Sequence, residues 1–315
     1  AQRLVPSVAA ALAIARALQC SVETLFGHPP AADGGTAFAW MPASFPCRYW
    51  AAELGGRILL YPLESGPQGG LLHDGIARGP GDLPANVKAA PSTLVLASCD
   101  PAAGYLAEAY RRQGGFRMLV FSRTSTEALA LVERRLVHVA GVHFSAGGSH
   151  EGNARALARH HPATALSLVR VARWEEGLAV APASRLRTAT AAVRSKLRWI
   201  GRPAGAGARR CQDELLGKNR APRLMARDHR GIVEAIRSGW ADVGVCVRLA
   251  SEEGQLGFLP VCEEPYDLCF RSDAADDPRL RALVATLRSA TFREIIDQLP
   301  GYRAADTGDL VTVES

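Results

Sequence analysis

From Pro91 onward the apolar positions fall into short buried runs separated by amphipathic stretches. Thr93–Ala97 (TLVLA), Phe116–Phe121 (FRMLVF) and Val137–Val142 read as strands, with helices expected near 102–113 and 126–134, where apolar residues recur at helical spacing. Leu166–Val171 and Leu178–Ala181 read as two strands on either side of Trp174-Glu175-Glu176-Gly177. Leu197–Ile200 is a further strand, followed by a small-residue turn over 201–208 and an amphipathic helix opening near Arg209 with Leu215 and Leu216 on one face. A helix over 231–238, strands at Ala241–Val245, Phe258–Val261 and Tyr266–Phe270, and helices over 278–287 and 291–298 complete the pattern. Strands alternating with helices predict an α/β architecture of parallel sheets with right-handed crossovers. The unit beginning at Leu94 resembles the one beginning at Leu197, which predicts two similar lobes.

The first 90 residues are patterned differently. Cys47–Glu53 and Arg57–Leu63 flank Leu54-Gly55-Gly56 and read as a β-hairpin, suited to a subunit contact or a bridge between domains. Residues 64–90 lack periodicity apart from a short piece near Leu71–Ile76 and read as loop, and residues 28–37 as a linker. Two short helices are expected before that, one opening at Pro6-Ser7 and one at Ser21, the second ended by Gly27.

Composition narrows the class. A chain of 315 residues with 48% hydrophobic content is long enough for two or three compact units with a sizeable core. No apolar run reaches about 18 residues, so no transmembrane helix is expected. The apolar patch from Val8 to Leu18 is interrupted by Arg16 and lacks a small-residue cleavage site, so no secretory signal is expected either. The net charge of +6 is compatible with nucleic-acid binding without demonstrating it. The seven cysteines (Cys20, Cys47, Cys99, Cys211, Cys246, Cys262, Cys269) form no CxxC pair or zinc spacing. An odd count without a framework points to buried thiols in a reducing, cytoplasmic compartment.

Candidate chemistry follows from the α/β pattern, because ligands of such sheets sit beyond the carboxyl ends of the strands. That rule brings Ser98, Cys99, Asp100, Ser122, Arg123, Ser125 and His143 to one rim, with His150 on the loop that follows. The turn Gly201–Ala208 supplies a second group. Gly205 and Gly207 allow a ligand close to the backbone around Ala206 and Ala208. The following helix start offers free N–H groups and partial positive charge, with Arg202, Arg209 and Arg210 as side-chain partners. Its alternative is an ordinary strand-to-helix turn. No Lys-Ser/Thr follows the glycines, and no dinucleotide fingerprint is complete, so the turn suits a small anion rather than a nucleotide. Asp228, just ahead of the next helix, and Tyr266, at the expected hinge, join the ligand-binding candidates. Ser98 serves either a ligand or a helix cap, and His143 either a ligand or the core. Asp100 reads as a cap, because a carboxylate repels an anion. Cys99 reads as packing, with redox or metal sensing as its alternative. No GxSxG or HExxH is present and no catalytic set emerges, so a binding protein is expected rather than an enzyme.

Two resemblances sharpen this. PSVAAALAIARALQCSVETLFG (6–27) resembles the last two helices of a Cro/C1-type (XRE) helix-turn-helix domain; the DNA-reading helix of that family would fall before residue 1. The segments LVLASCDPAAGYLAE (94–108), HVAGVHF (138–144), RWEEGLAVAP (173–182), GRPAGAGARRCQDELL (201–216), AIRSGWADVGVCVR (235–248) and EEPYDLCF (263–270) together resemble the type 2 periplasmic-binding-protein-like superfamily, in the branch fused to helix-turn-helix regulators and molybdopterin-biosynthesis proteins. The resemblance implies a two-lobed α/β domain over 91–315, lobe 1 taking about 91–180 and 267–315 and lobe 2 about 181–266, behind a partial helix-turn-helix segment (1–27) and a linker with a β-hairpin (28–90). It implies crossover strands near Gly177–Pro182 and Pro265–Phe270, and a small anion in the cleft, of molybdate or tungstate type. No other cofactor and no metal is expected. Family members carry a PGSGTR-like turn, whereas Ala206 and Ala208 stand here in place of the two hydroxyl residues. The implied function is a cytoplasmic, homodimeric, one-component transcriptional regulator that binds DNA through its N-terminal segment and responds to the anion. The alternative is a solute-binding or molybdenum-cofactor-related protein without a DNA role.

Overall fold

The computed structural model describes residues 35–64, 71–144, 152–160, 162, 164–217 and 222–313, together with Ala10, Ala13, Ile14 and Ala17, which are helical and exposed. The rest of the helix-turn-helix-like segment, most of the linker and the loop carrying His150 lie outside the described residues.

The predicted hairpin is present. Strands β1 (Thr36–Phe38), β2 (Cys47–Leu54), β3 (Arg57–Pro62) and β4 (Gly75–Ala77) form a small sheet in the order β1-β3-β2-β4. Leu54 pairs with Arg57 across Gly55 and Gly56, both with positive φ (60° and 74°), the conformation that a tight two-residue hairpin requires. This sheet covers one face of the first lobe. Tyr61 stacks on Phe121 at 5.5 Å, and Trp40 packs edge-on against both. Arg117 clasps Asp74 with two hydrogen bonds of 2.6 and 2.8 Å. Arg279 reaches the Glu53 carbonyl at 2.7 Å.

The large sheet joins ten strands in the order β10-β9-β11-β8-β12-β7-β5-β6, with β13 and β14 also on β8. Its members are β5 (Thr93–Ser98), β6 (Arg117–Ser122), β7 (Val139–Val142), β8 (Leu166–Val180), β9 (Trp199–Gly201), β10 (Leu224–Met225), β11 (Val243–Val247), β12 (Gly257–Arg271), β13 (Tyr302–Arg303) and β14 (Leu310–Val313). Strand β5 lies parallel between β6 and β7 in lobe 1, and β9 lies parallel between β10 and β11 in lobe 2. In both trios the second strand lies on one side of the first and the third on the other. That reversal opens a crevice at the carboxyl ends of β5 and β9. Local sequence sets the helices that follow. Thr124 and Glu127 close a capping box on the Ser125–Glu133 helix, and Gly115 ends the Ala103–Gly114 helix in the left-handed conformation (φ 70°).

The structure corrects the reading of the two longest strands. Leu166–Val171 and Leu178–Ala181 belong to one continuous strand, as do Phe258–Val261 and Tyr266–Phe270. The polar run Trp174–Gly177 looks like a turn in sequence, yet it stays in the ladder, with Glu176 turned into the interior and Glu175 paired with Arg248 at 2.5 Å. Strands β8 and β12 pair antiparallel along their whole length, from Gly257 opposite Val180 to Arg271 opposite Leu166. Lobe 1 meets them at Asp267–Cys269 through β7, and lobe 2 at Glu176–Val180 through β11. The passage between lobes therefore lies near residues 173–176 and 262–266, ahead of the positions expected on each strand. No helix among the described residues is long and apolar enough to cross a membrane.

Candidate functional site

The carboxyl ends of β5, β6, β9 and β10 face one another across the interlobe cleft, and the lobes touch there. The Gly205 carbonyl accepts from the Thr126 amide at 3.3 Å and from its hydroxyl at 3.2 Å. Ser122 Oγ lies 3.3 Å from Asp228 Oδ2 of the opposite lobe. Gly205 has φ +87°, and a methyl group on Gly207 would overlap the His143 ring and its carbonyl. These two glycines let the lobe 2 turn seat directly on lobe 1, a requirement for close backbone approach that only glycine meets.

The lobe 1 candidates are all engaged with protein partners. Ser98 Oγ lies 2.5 Å from the Tyr266 hydroxyl and accepts the Asp100 amide at 3.0 Å. Asp100 accepts from the Ala102 amide at 2.8 Å and from Tyr302 at 2.6 Å; burial pushes its carboxyl up to about 6 against those hydrogen bonds. Ser125 Oγ accepts the His143 amide at 3.2 Å. His143 is buried, with Nδ1 3.0 Å from Glu264 and Nε2 3.3 Å from the Cys99 sulfur. Burial pulls this imidazole down, but Cys99 and Glu264 outweigh it and hold it well above its ordinary value. Arg123 is engaged by other partners. It holds Glu64 with two hydrogen bonds of 2.7 and 2.8 Å and lies 4.7 Å over the Trp40 ring. Glu64 also takes Arg227 of the opposite lobe at 3.2 Å.

On lobe 2 the Gly207–Leu216 helix opens without a side-chain cap, Ala206 standing at the cap position. Ala208 packs with Leu178, Val180 and Cys211 in the lobe core, so a hydroxyl at that position would meet apolar side chains. Arg209 folds back onto its own helix, on Asp213 at 2.7 Å and the Arg202 carbonyl at 3.2 Å. Arg210 reaches Glu264 at 3.1 Å. Asp228 caps the His229–Arg237 helix through the Gly231 amide at 2.8 Å.

Arg202 is different from all of these. It follows β9, is 1% exposed, and gives one bond, from Nη2 to the Arg227 carbonyl at 3.3 Å. Its Nε and Nη1 have no hydrogen-bond partner among the described residues, and neither ring nitrogen of His229 has one. His229 is held well below the ordinary imidazole value by burial, then by the charges of Arg202 and His143, so it is neutral. A guanidinium does not lose its proton, and a buried unpaired charge costs several kcal/mol, on the order of 3–5 when one partner of a pair is missing. The chemistry of this corner is that of donors awaiting an acceptor. Trp174 forms the wall behind it, stacked on Tyr266 at 4.4 Å and edge-on to His143 (5.0 Å) and His229 (6.3 Å).

Sequence reasoning did not single out His229, Trp174, Glu176 or Glu264. His229 directly follows the cap Asp228, and Trp174 lies in the RWEEGLAVAP segment, so both carried a signal.

Residues 106–288 match the PBP superfamily domain, and the chain belongs to that superfamily. Among curated sequences, an uncharacterized protein of Bacillus subtilis (strain 168), YvgK, is 30% identical over 125 residues, 38% of this chain and 40% of that protein. The chain thus spans about two-fifths of that relative's length. An uncharacterized protein of Clostridium pasteurianum, from the region 5′ of a ferredoxin 2Fe-2S gene, is 24% identical over 85 residues, 27% of this chain and 75% of that protein. Among solved structures, a Clostridium perfringens protein assigned to phosphate ABC transport as a substrate-binding protein, with phosphate bound, aligns at TM-score 0.52 and 10% identity, covering 66% of this chain and 99% of that one. At that identity the likeness concerns the fold alone.

Proposed function

We propose that this solute-binding fold takes a small oxyanion between its lobes, with the Arg202 guanidinium as the principal partner and the His229 ring and the start of its helix beside it. The carrying observation is Arg202 itself: a cation 1% exposed, with two of its three nitrogens lacking an acceptor among the described residues. An oxyanion supplies planar pairs of acceptor oxygens, which a guanidinium matches bidentately. The lobes close by contacts across the cleft, so a ligand held there stabilises the closed form by its differential affinity.

Thermal unfolding against phosphate, sulfate, molybdate, tungstate and small carboxylates tests this. An oxyanion at 100 times its dissociation constant adds about 2.7 kcal/mol. A shift with one oxyanion that disappears in Arg202→Gln supports the proposal; no shift with any of them removes it. Binding without turnover is part of the proposal. Recovery of the anion unchanged checks it, and consumption would make Cys99, 3.3 Å from His143 Nε2, the first thiol to test.

The resemblance of residues 6–27 to a helix-turn-helix scaffold favours a second reading, a dimeric regulator whose DNA binding responds to the same anion. Retention of promoter DNA by the full-length protein, with and without the anion, separates it from solute binding alone.

A further inference from the structure

A second cluster lies on the hinge, distinct from the anion corner. Cys262 on β12 stands directly opposite Glu176 on β8, so their side chains share a face of the sheet. An irregularity in the pairing between Pro260 and Cys262 falls at that point, a device that re-aims side chains. The Gly207–Leu216 helix lies over this face and contributes Cys211. One ligand atom from each of Glu176, Cys211 and Cys262 lies within 4.8 Å of the others. Tetrahedral coordination at ordinary zinc–sulfur lengths spaces two sulfurs about 3.8 Å apart, so the three groups need at most a small inward adjustment. Glu176 supplies the independent observation. It is fully buried, and neither carboxylate oxygen has a hydrogen-bond partner among the described residues. Its nearest charged neighbours, Glu264 and His143, are already bonded to each other at 3.0 Å, so this carboxyl and the two thiols form a donor set that suits a cation.

We propose that Glu176, Cys211 and Cys262 bind a borderline-soft divalent cation of the zinc class. Two sulfurs and one oxygen select such an ion over magnesium or calcium, which take oxygen. Glu264 lies within 4.8 Å of Glu176 in the neighbouring group with His143 and is held by Arg210 (3.1 Å) and His143 (3.0 Å). The ion would tie β8, β12 and the helix behind the glycine turn into one unit at the point where the chain passes between lobes.

The test needs no oxyanion, so its outcome is separate from that of the cleft. The reduced chain is incubated with Zn2+, passed through gel filtration and assayed for metal, and Co2+ is titrated as a spectroscopic probe. The expected result is one Zn2+ retained per chain and a sulfur-to-cobalt charge-transfer band. Both are lost in the double variant Cys211→Ser/Cys262→Ser and weakened at least about tenfold in Glu176→Gln, while Cys47→Ser behaves as the parent. Circular dichroism checks folding, and Cys262→Ala alone, at a half-buried position, serves if the double variant does not fold. Reduced parent protein that retains no metal, or a folded double variant that retains as much as the parent, overturns the proposal. So does a Cys211–Cys262 disulfide whose reduction yields a chain that takes up no Zn2+.

Discussion

Arg123 and Arg202 each stand directly after a parallel strand, Arg123 after β6 at the edge of the lobe 1 trio and Arg202 after β9 at the centre of the lobe 2 trio. By position alone both are rim arginines aimed at a ligand. Arg123 has a complete set of partners, with both Glu64 oxygens, the Ser122 carbonyl and the Trp40 face. Arg202 is more deeply buried and has one backbone carbonyl. The same contrast separates two buried histidines. His138 accepts the Val95 amide and lies against the Glu53 carbonyl, both at 3.0 Å, whereas His229 has no partner for either nitrogen among the described residues. A strand end places a donor at a cleft; whether it serves a ligand depends on what the rest of the chain has already given it.

The largest expected effect follows directly. Arg202→Ala should weaken the bound oxyanion by about 100-fold, the loss of a buried charge-assisted pair worth roughly 1.5–3 kcal/mol per bond. Arg123→Ala should leave affinity within about twofold and lower unfolding free energy by roughly 1–2 kcal/mol, since it strands Glu64, which Arg227 alone then holds. Calorimetric titration and denaturant unfolding of both variants read these out; equal losses of affinity would erase the distinction. Next in size is Gly207→Ala. The added methyl meets the His143 ring and obstructs closure, costing roughly 1–3 kcal/mol as overpacking does, read as about a tenfold weaker oxyanion in the same titration.

The histidine pair gives a pH test with two signs. His138 is held down to about 3, by burial first and then by Arg279. Its folded value is depressed, so the stability it confers is present above the unfolded value near 6.5 and is lost as pH falls from there toward 3, by at most about 1.4 kcal/mol per pH unit. His138→Gln should flatten that acid limb in unfolding measured between pH 7 and 4. His229 is depressed as well, but an anion beside it raises its value, so binding takes up protons. Sulfate, whose charge is constant in this range, should bind about threefold tighter at pH 5.5 than at pH 7.5, and a flat profile in parent protein would detach His229 from the site. The smallest effect belongs to Arg209→Ala. Its side chain is spent on Asp213 and the Arg202 carbonyl, so affinity should change by less than about twofold.

The fold was largely legible because local patterns govern it. The TLVLA and RMLVF runs, the Gly55-Gly56 turn and the helix starts at Asp228 and Asp277 each carry their own instructions. The continuity of β8 and β12 was hidden because burial of Glu176 and pairing of Glu175 are tertiary facts, invisible in a polar tetrapeptide. The site was legible as a set of positions and not as a set of roles. Glu64, which neutralises Arg123, lies 59 residues away at the edge of a segment without periodicity. Asp213, four residues after Arg209, was within reach of sequence reasoning, since side chains four apart on a helix meet. Arg202 stood among the candidates, but only the packed structure shows that, among the described residues, one backbone carbonyl is all that its guanidinium meets.

The most direct measurement is the arginine Nε region of a nitrogen-15 correlation spectrum as oxyanion is added, with the Arg202 and Arg123 signals assigned by their absence in Arg202→Lys and Arg123→Lys. Saturable movement of the Arg202 Nε signal, with Arg123 unmoved, is the predicted result. Movement of Arg123 with Arg202 silent, or no movement of either by any oxyanion, would contradict the account.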